Sequence, residues 1–273
     1  MSARRGSVAA EVFLAVAVLA IIIPVGWLVV TAFNKPVEII SHSFEFSMNN
    51  FHVLFKPGSV IGVQVLNSVI ISVSATLICL AVAALAGYSL SALRWSRLST
   101  AILLGTSALL QLIPPMTLVP GLYVTLQQLG LLNSLMGLSL LSVMFNLPFA
   151  TLMLKVYFDA LPSAIRESGL VDGASEARIF GSLALPLVRP GLAAVGIYVL
   201  IMAWNEFLFG LTMTTGGTSA PITVGIASLV QPQEITYGPM SALGTLTVVP
   251  VIVLAIAANR HIVAGLTGGA VKG

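Results

Sequence analysis

Long apolar runs separated by polar intervals dominate this chain. The runs fall at about Val12–Phe33, Ile61–Leu93, Leu135–Leu154, Gly191–Thr214 and Pro239–Ala258. Crossing the hydrocarbon core takes about 20 apolar residues in helical conformation, so each run predicts one membrane span. One further run, third in chain order, starts near Leu98 and holds QLIPPMTLVP with Pro114, Pro115 and Pro120. Proline has no amide donor and crowds the preceding turn, so this span is predicted to be kinked or interrupted. Polar intervals lie at 34–60, 127–134, 155–190 and 215–238. The pattern predicts an all-α integral membrane protein with six transmembrane helices. The first run follows Arg4 and Arg5, as in a signal peptide, but it is longer than a usual secretory core and contains Pro24 and Trp27. It reads as a retained span.

Composition agrees. The chain is 58% hydrophobic and 8% charged, with mean hydropathy +1.05, whereas soluble domains carry about 25% charged residues. The one cysteine, Cys79, sits in an apolar run; it cannot form an intramolecular disulfide and reads as a small buried side chain. Trp27, Trp95 and Tyr237 fit interface anchors. No soluble domain, low-complexity segment or evident internal repeat interrupts the pattern.

The position of the charges sets an orientation. With six spans both termini share one side, and that side holds Arg4, Arg5, Arg94, Arg97, Lys155, Arg166, Arg178, Arg189, Arg260 and Lys272. Lys35 and Lys56 fall on the other. Basic residues accumulate on the cytoplasmic side, so the termini and the 155–190 interval are expected to be cytoplasmic.

That interval concentrates Lys155, Asp159, Arg166, Glu167, Asp172, Glu176, Arg178 and Arg189. Each charge at mid-membrane would cost roughly 2.5–3.5 kcal/mol, so the segment faces water, and its length exceeds that of an ordinary connection. Pro162 suits the first turn of a short helix ending near Val171. Asp172-Gly173 marks a turn. Ser175 can cap a second short helix with Glu176 at its positive end, placing Ile179, Phe180, Leu183 and Leu187 on one side. Leu185-Pro186 and Pro190 are expected to end it and turn the chain into the fifth span. Such a helix–turn–helix could lie on lipid headgroups or dock a cytoplasmic partner.

Glu167-Ser168-Gly169, Gly173 and Leu183-Ala184-Leu185-Pro186 resemble the EAA motif of ABC importer permeases. That pattern is E-A-A, three residues, G, nine residues, I, one residue, L-P. The spacing matches throughout, with Ser168 and Gly169 in place of the alanines and Leu183 in place of isoleucine. Two strong helix formers are thereby replaced by weaker ones. The IPP run at 113–115, NLPFA at 146–150, WNEF at 204–207 and the ending GLTGGAVKG extend the resemblance over most of the chain. They are similar to the sugar-permease branch, in particular to the smaller membrane subunit of maltose-type importers. The resemblance implies the type I ABC importer transmembrane-domain fold with a cytoplasmic EAA coupling loop. Its parts would be an N-terminal region (1–60), a transmembrane core (61–259) and a cytoplasmic tail (260–273). It further implies an ATPase-coupling set of Glu167, Ser168, Gly169, Asp172, Gly173, Ala174, Leu185 and Pro186. Glu167 would meet a basic residue in a groove of a separate ATPase subunit, and Gly173 would permit the tight turn. The implied partners are a second homologous permease subunit, two ATPase subunits and an extracytoplasmic solute-binding protein, all at a bacterial cytoplasmic membrane. ATP and Mg would bind the partner ATPase, leaving no cofactor in this chain. The tail is expected to reach the ATPases, and the intervals 34–60 and 215–238 to meet the binding protein.

The residues themselves point to an outside energy source. No lysine follows the glycine that a phosphate-binding loop requires: the four lysines follow Asn34, Phe55, Leu154 and Val271. His42, His52 and His261 are scattered and predict no metal site, and no hydrolytic triad stands out. The expected role is to form a path rather than to act as an enzyme, and no nucleic-acid partner is expected.

For the path, Glu206 is the acid placed inside a span, where a carboxylate normally faces protein or water. Trp204, Asn205 and Glu206 offer a stacking surface, an amide and a carboxylate, a mixture suited to sugars. Glu206 could equally tie helices together or lie at an interface. Asn146 and Gln111 are weaker path candidates. The expected cargo is a sugar or sugar-like solute. Alternatives are a phosphorylated polyol or amino sugar and, from another class, a proton-coupled secondary carrier using Glu206.

Overall fold

The computed structural model describes residues 2–35, 44–93, 95–214, 218–230 and 237–270, with side chains described between 10 and 256. The helices in chain order are α1 (Ser2–Ala32), α2 (Asn49–Leu54), α3 (Ile61–Ala92), α4 (Arg97–Leu112), α5 (Pro115–Gln128) and α6 (Leu135–Asp159). After these come α7 (Ser163–Val171), α8 (Glu176–Ile179), a π-helical turn (Phe180–Ala184), α9 (Leu185–Leu187) and α10 (Arg189–Trp204). The chain continues through α11 (Leu208–Met213), α12 (Ile222–Ser228) and α13 (Tyr237–Ala270).

Among the described residues four helices are long and apolar enough to cross a bilayer: Ala10–Ala32 within α1, α3, α6, and Tyr237–Ile256 within α13. Counting each of two bent helix pairs as one span gives six. α4 and α5 meet at 101°, and Glu176–Leu187 meets α10 at 78°. The interruption predicted for the third span is present. Ile113 and Pro114 are extended, with ψ 121° and 126°, and Pro115 opens α5. Pro120, by contrast, lies inside α5 without ending it.

The fourth span runs beyond its predicted end: α6 continues through Asp159, where Lys155 and Asp159 pair at 2.6 Å one helical turn apart. The charged interval therefore begins on the last turns of a span. The helix Tyr237–Ala270 likewise continues well past the sixth apolar run.

Residues 1–62 with 225–250 form one compact unit, and 63–224 with 251–273 form another. In the first, the interval 34–60 is more than a loop. The Asn50 amide on α2 donates to the carbonyls of Ala32 (2.9 Å) and Asn34 (2.8 Å), satisfying carbonyls at the end of α1. Phe33 stacks on Phe46 with ring centroids 5.7 Å apart. His42 and the rest of 36–43 lie outside the described residues.

The core of the second unit is organised by α3. Ala75, Cys79, Ala83 and Gly87 recur every fourth residue, which places them on one face. Cys79 is 0% exposed, as expected for a small core residue. This face belongs to the same core as Ala150 and Leu154 of α6 and Val195, Val199 and Ala203 of α10. Between membrane helices no hydrophobic drive operates, so small residues matter because they let backbones approach. At Gly87 the approach is to backbone: a Cβ there would lie 3.0 Å from the Lys155 amide nitrogen.

The interval 215–238 is also built in, over the part described. The Asn67 amide donates to the carbonyls of Thr218 (2.9 Å) and Ala220 (3.0 Å), and Ser68 accepts from the Ile222 amide at 2.8 Å. Residues 215–217 and 231–236 lie outside the described residues.

Candidate functional site

The charged interval folds as the helix–turn–helix expected from its residues. α7 ends in a Schellman turn. The Ala174 amide donates to the Gly169 carbonyl (2.9 Å) and the Gly173 amide to the Leu170 carbonyl (3.1 Å). Gly173 adopts φ +74°, a conformation glycine tolerates at low cost. Ser175 then caps α8, accepting from the Arg178 amide at 3.4 Å.

The coupling candidates divide by exposure. Glu167 and Ser168 face outward with Asp172 and Gly173, while Gly169 is buried and Ala174, Leu185 and Pro186 are half-buried. Gly169 is buried because α7 rests on α8 there: a Cβ would come 2.9 Å from Ile179 Cγ1 and 3.3 Å from Leu183 Cδ1. The small residue in place of alanine thus makes room for Ile179. Ser168 bonds back to the Ile165 carbonyl at 3.0 Å, and α7 runs unbroken through both substituted positions.

Two expectations for this interval need correction. Pro186 does not end the second helix. It occupies the opening turn of α9, where its missing amide donor is tolerated, and the chain turns instead at Val188, between α9 and α10. The Ile179–Leu187 stripe also divides: Ile179 is fully buried, whereas Leu183 and Leu187 are exposed, since the intervening π-helical turn changes the register of the side chains.

Sequence reading missed Tyr88 at the end of α3. Its ring packs on Phe158 and Phe180, with centroids 5.5 and 5.1 Å away. Its hydroxyl donates to Glu176 Oε2 at 3.0 Å. Arg166 meets the same carboxylate with two nitrogens, Nε on Oε2 at 3.3 Å and Nη2 on Oε1. A tyrosine closing a small-residue stripe in an otherwise apolar run was the available signal. A cavity of about 280 Å³ adjoins the triad and reaches Ser163 and Glu167. Both charged partners are about one-third exposed, so the pair adds only about 0–1 kcal/mol of stability.

The Arg166 hydrogen bond holds the Glu176 carboxyl below its usual range; partial burial opposes this and the Tyr88 hydroxyl adds to it. A lowered folded pKa means the contribution is fully present above the unfolded value of 4.5 and is lost as pH falls through the folded one. Amide exchange should report this. Protection of Ser175–Ile179 is expected to be constant from neutral pH down to that value and to fall below it, relative to α6. Glu176→Gln should remove the pH dependence.

The fifth span is broken. α10 stops at Trp204 and α11 starts at Leu208, so the apolar run Gly191–Thr214 is not one helix. The physical reason is Glu206. Its carboxylate accepts from the amides of Phe209 (2.7 Å) and Gly210 (2.9 Å), two donors that the start of α11 leaves without intrahelical partners. Its carbonyl accepts from Thr223 Oγ1 at 2.6 Å.

Of the other path candidates, Trp204 is 5% exposed and packed inside, whereas Asn205 is exposed and donates to the Ile201 carbonyl at 2.9 Å. Asn146 is half-buried and donates to the Ser142 carbonyl at 2.8 Å within α6. Gln111 is exposed near the end of α4. Trp204, Asn205 and Glu206 are therefore neighbours at one helix break, but they present different surroundings.

Comparison with known proteins is consistent with this architecture. Residues 80–268 match the family described as binding-protein-dependent transport system inner membrane component. The chain belongs to that family. The permease is 32% identical over 257 residues to a diacetylchitobiose uptake system permease protein of Streptomyces coelicolor, covering 91% of this chain and 83% of that one. It is 31% identical over 257 residues to the trehalose/maltose transport system permease protein of Thermococcus litoralis, covering 92% and 91%. Its fold is similar to a chain in the crystal structure of a bacterial ABC transporter involved in the import of the acidic polysaccharide alginate. There the TM-score is 0.81 at 15% identity, over 95% of this chain and 97% of that one. The permease thus has the all-α fold of type I ABC importer membrane subunits and is a multi-pass inner-membrane component.

Proposed function

We propose that this permease imports a sugar or sugar-like solute, driven by ATP hydrolysis on separate ATPase subunits that dock on α7 and its turn. The observation that carries the reading is the helix–turn–helix itself. It is a preformed, charged element between two spans, with Glu167 and Ser168 outward and Val171 at its tip 87% exposed. Exposed apolar and charged groups on a rigid turn fit a protein groove. In this role Glu167 meets a basic residue of the ATPase, Gly173 and Asp172 shape the turn, and Gly169, Ala174, Leu185 and Pro186 seat it. In this reading the loop and both termini face the cytoplasm, which the distribution of basic residues supports. A second homologous permease, two ATPases carrying ATP and Mg, and an extracytoplasmic binding protein complete the assembly. The relatives named for diacetylchitobiose and for trehalose/maltose support a saccharide cargo, with the path formed near Asn205, Asn146 and Gln111. The tail side chains beyond 256 lie outside the described residues, and their contact with the ATPases is part of the proposal.

The test is co-purification and turnover of the assembled complex in proteoliposomes. Glu167→Ala should leave the permease inserted but reduce co-purifying ATPase about tenfold, the effect of losing one well-placed contact. Trehalose, maltose and diacetylchitobiose are the cargo probes, and at least one should stimulate ATP hydrolysis with the binding protein present. Unchanged ATPase recovery in the variant sinks the docking role. Uptake of these sugars on a proton gradient without ATPases sinks the importer reading.

A further inference from the structure

The charged loop is joined to its two spans by a short link and by a bent turn. On one side three residues, Ala160–Pro162, separate α6 from α7. On the other, the π-helical turn and the 78° bend lead into α10. The apolar contacts beneath it, Ile179 and Phe180 against Tyr88 and Phe158, are non-directional. A forked guanidinium on a carboxylate is directional, because two parallel donors fix both position and angle.

We propose that Arg166, Glu176 and Tyr88 are positioning residues that lock the loop in one orientation on the end of α3, so that loop and span move as one piece. Arg166 comes from α7, Glu176 from α8 and Tyr88 from α3, so one carboxylate joins three helices. The Schellman turn holds α7 to α8, and the Tyr88 hydroxyl adds a directional bond from that pair to the span, beside the apolar contacts. α3 is suited to carry the motion. Twenty residues before Tyr88, Ser68 and Asn67 bond the segment 218–222 to the same helix, at a distance of about 30 Å for a straight helix. The triad thus connects the loop to a rod whose far end is fastened to another inter-span segment. Its partial exposure and small contribution to stability are consistent with a device for orientation rather than for folding.

This assignment rests on the loop being the ATPase-docking element. It is tested separately from that reading by a distance measured inside this chain. In the assembled complex in proteoliposomes, on a Cys79→Ala background, spin labels are placed at Ala177→Cys, on α8 outside the docking turn, and at Leu85→Cys, both exposed. The distance between them should form one narrow population in both the nucleotide-free and the ATP–vanadate-trapped states. Arg166→Glu or Glu176→Arg should broaden it into more than one population. The swap R166E/E176R should restore the single population, because the Tyr88 hydroxyl can accept from a guanidinium at 176 where it donated to the carboxylate; a merely structural defect would not be rescued. Tyr88→Phe keeps the ring contacts and should broaden the distribution as well, so it carries the test if the charge variants fail to assemble. Single variants with the original width, or a swap as broad as its parents, would overturn the proposal. A narrow distance together with absent ATPase binding would sink the docking reading and leave the lock standing.

Discussion

Glu206→Ala is expected to produce the largest loss of stability of any single side-chain truncation at the break in the fifth span. The carboxylate accepts two backbone amides at 2.7 and 2.9 Å, and their owners Phe209 and Gly210 are buried. Truncation leaves both donors unpaired, at about 1–3 kcal/mol each. A loss of several kcal/mol corresponds to a drop in Tm of roughly 10 °C for a chain of this size. Size-exclusion profiles of the detergent-extracted protein after graded heating measure it. Glu206→Gln retains one acceptor oxygen and should lose about half as much. The same pair of variants separates two roles. A cap predicts that Glu206→Gln keeps ATP-driven uptake, whereas a proton relay predicts that it abolishes transport. An alanine variant as stable as the parent would refute the capping role.

Gly87→Leu should be comparably severe for a different reason. A Cβ at this position already falls 3.0 Å from a backbone nitrogen of α6 and 3.3 Å from Leu154 Cβ. Backbone cannot step aside as a flexible side chain can, so α3 and α6 must separate. Overpacking costs about 1–3 kcal/mol in ordinary cores, and separating two spans also loses contacts along the face of Ala75, Cys79 and Ala83. The expected outcome is a sharp fall in the monodisperse yield of extracted protein. Gly87→Ala should give a small Tm loss, and Cys79→Ala, which preserves a small residue, should be close to neutral. Equal yields for the leucine and alanine variants would show that the helices do not meet here as described.

The sites in the chain differ in how legible they were. The helix–turn–helix could be read almost entirely from local signals, because its parts are local. Pro162 precedes the first helix, Gly173 takes the left-handed turn, Ser175 caps the second helix, and each acts on residues within a few positions of itself. The break at 205–207 could not be read so directly. An apolar run with one acid is equally compatible with a path, a tie between helices, or a cap. The deciding fact was which amides lay within reach of Glu206. Tyr88 was missed because its partner is 88 residues away and its own neighbours are apolar.

Hydropathy and charge by themselves determined that this is an all-α membrane protein with its charge gathered in one interval, because neither property depends on how helices meet. The spacing from Glu167 through Gly173 to Pro186 carried the family. Tertiary structure alone decided that Glu206 satisfies backbone amides, that Gly169 yields space to Ile179, and that Arg166 and Tyr88 converge on Glu176. Each of these is set by distances between residues that the backbone brings together, and a hydrogen bond or a close approach exists only at the right distance.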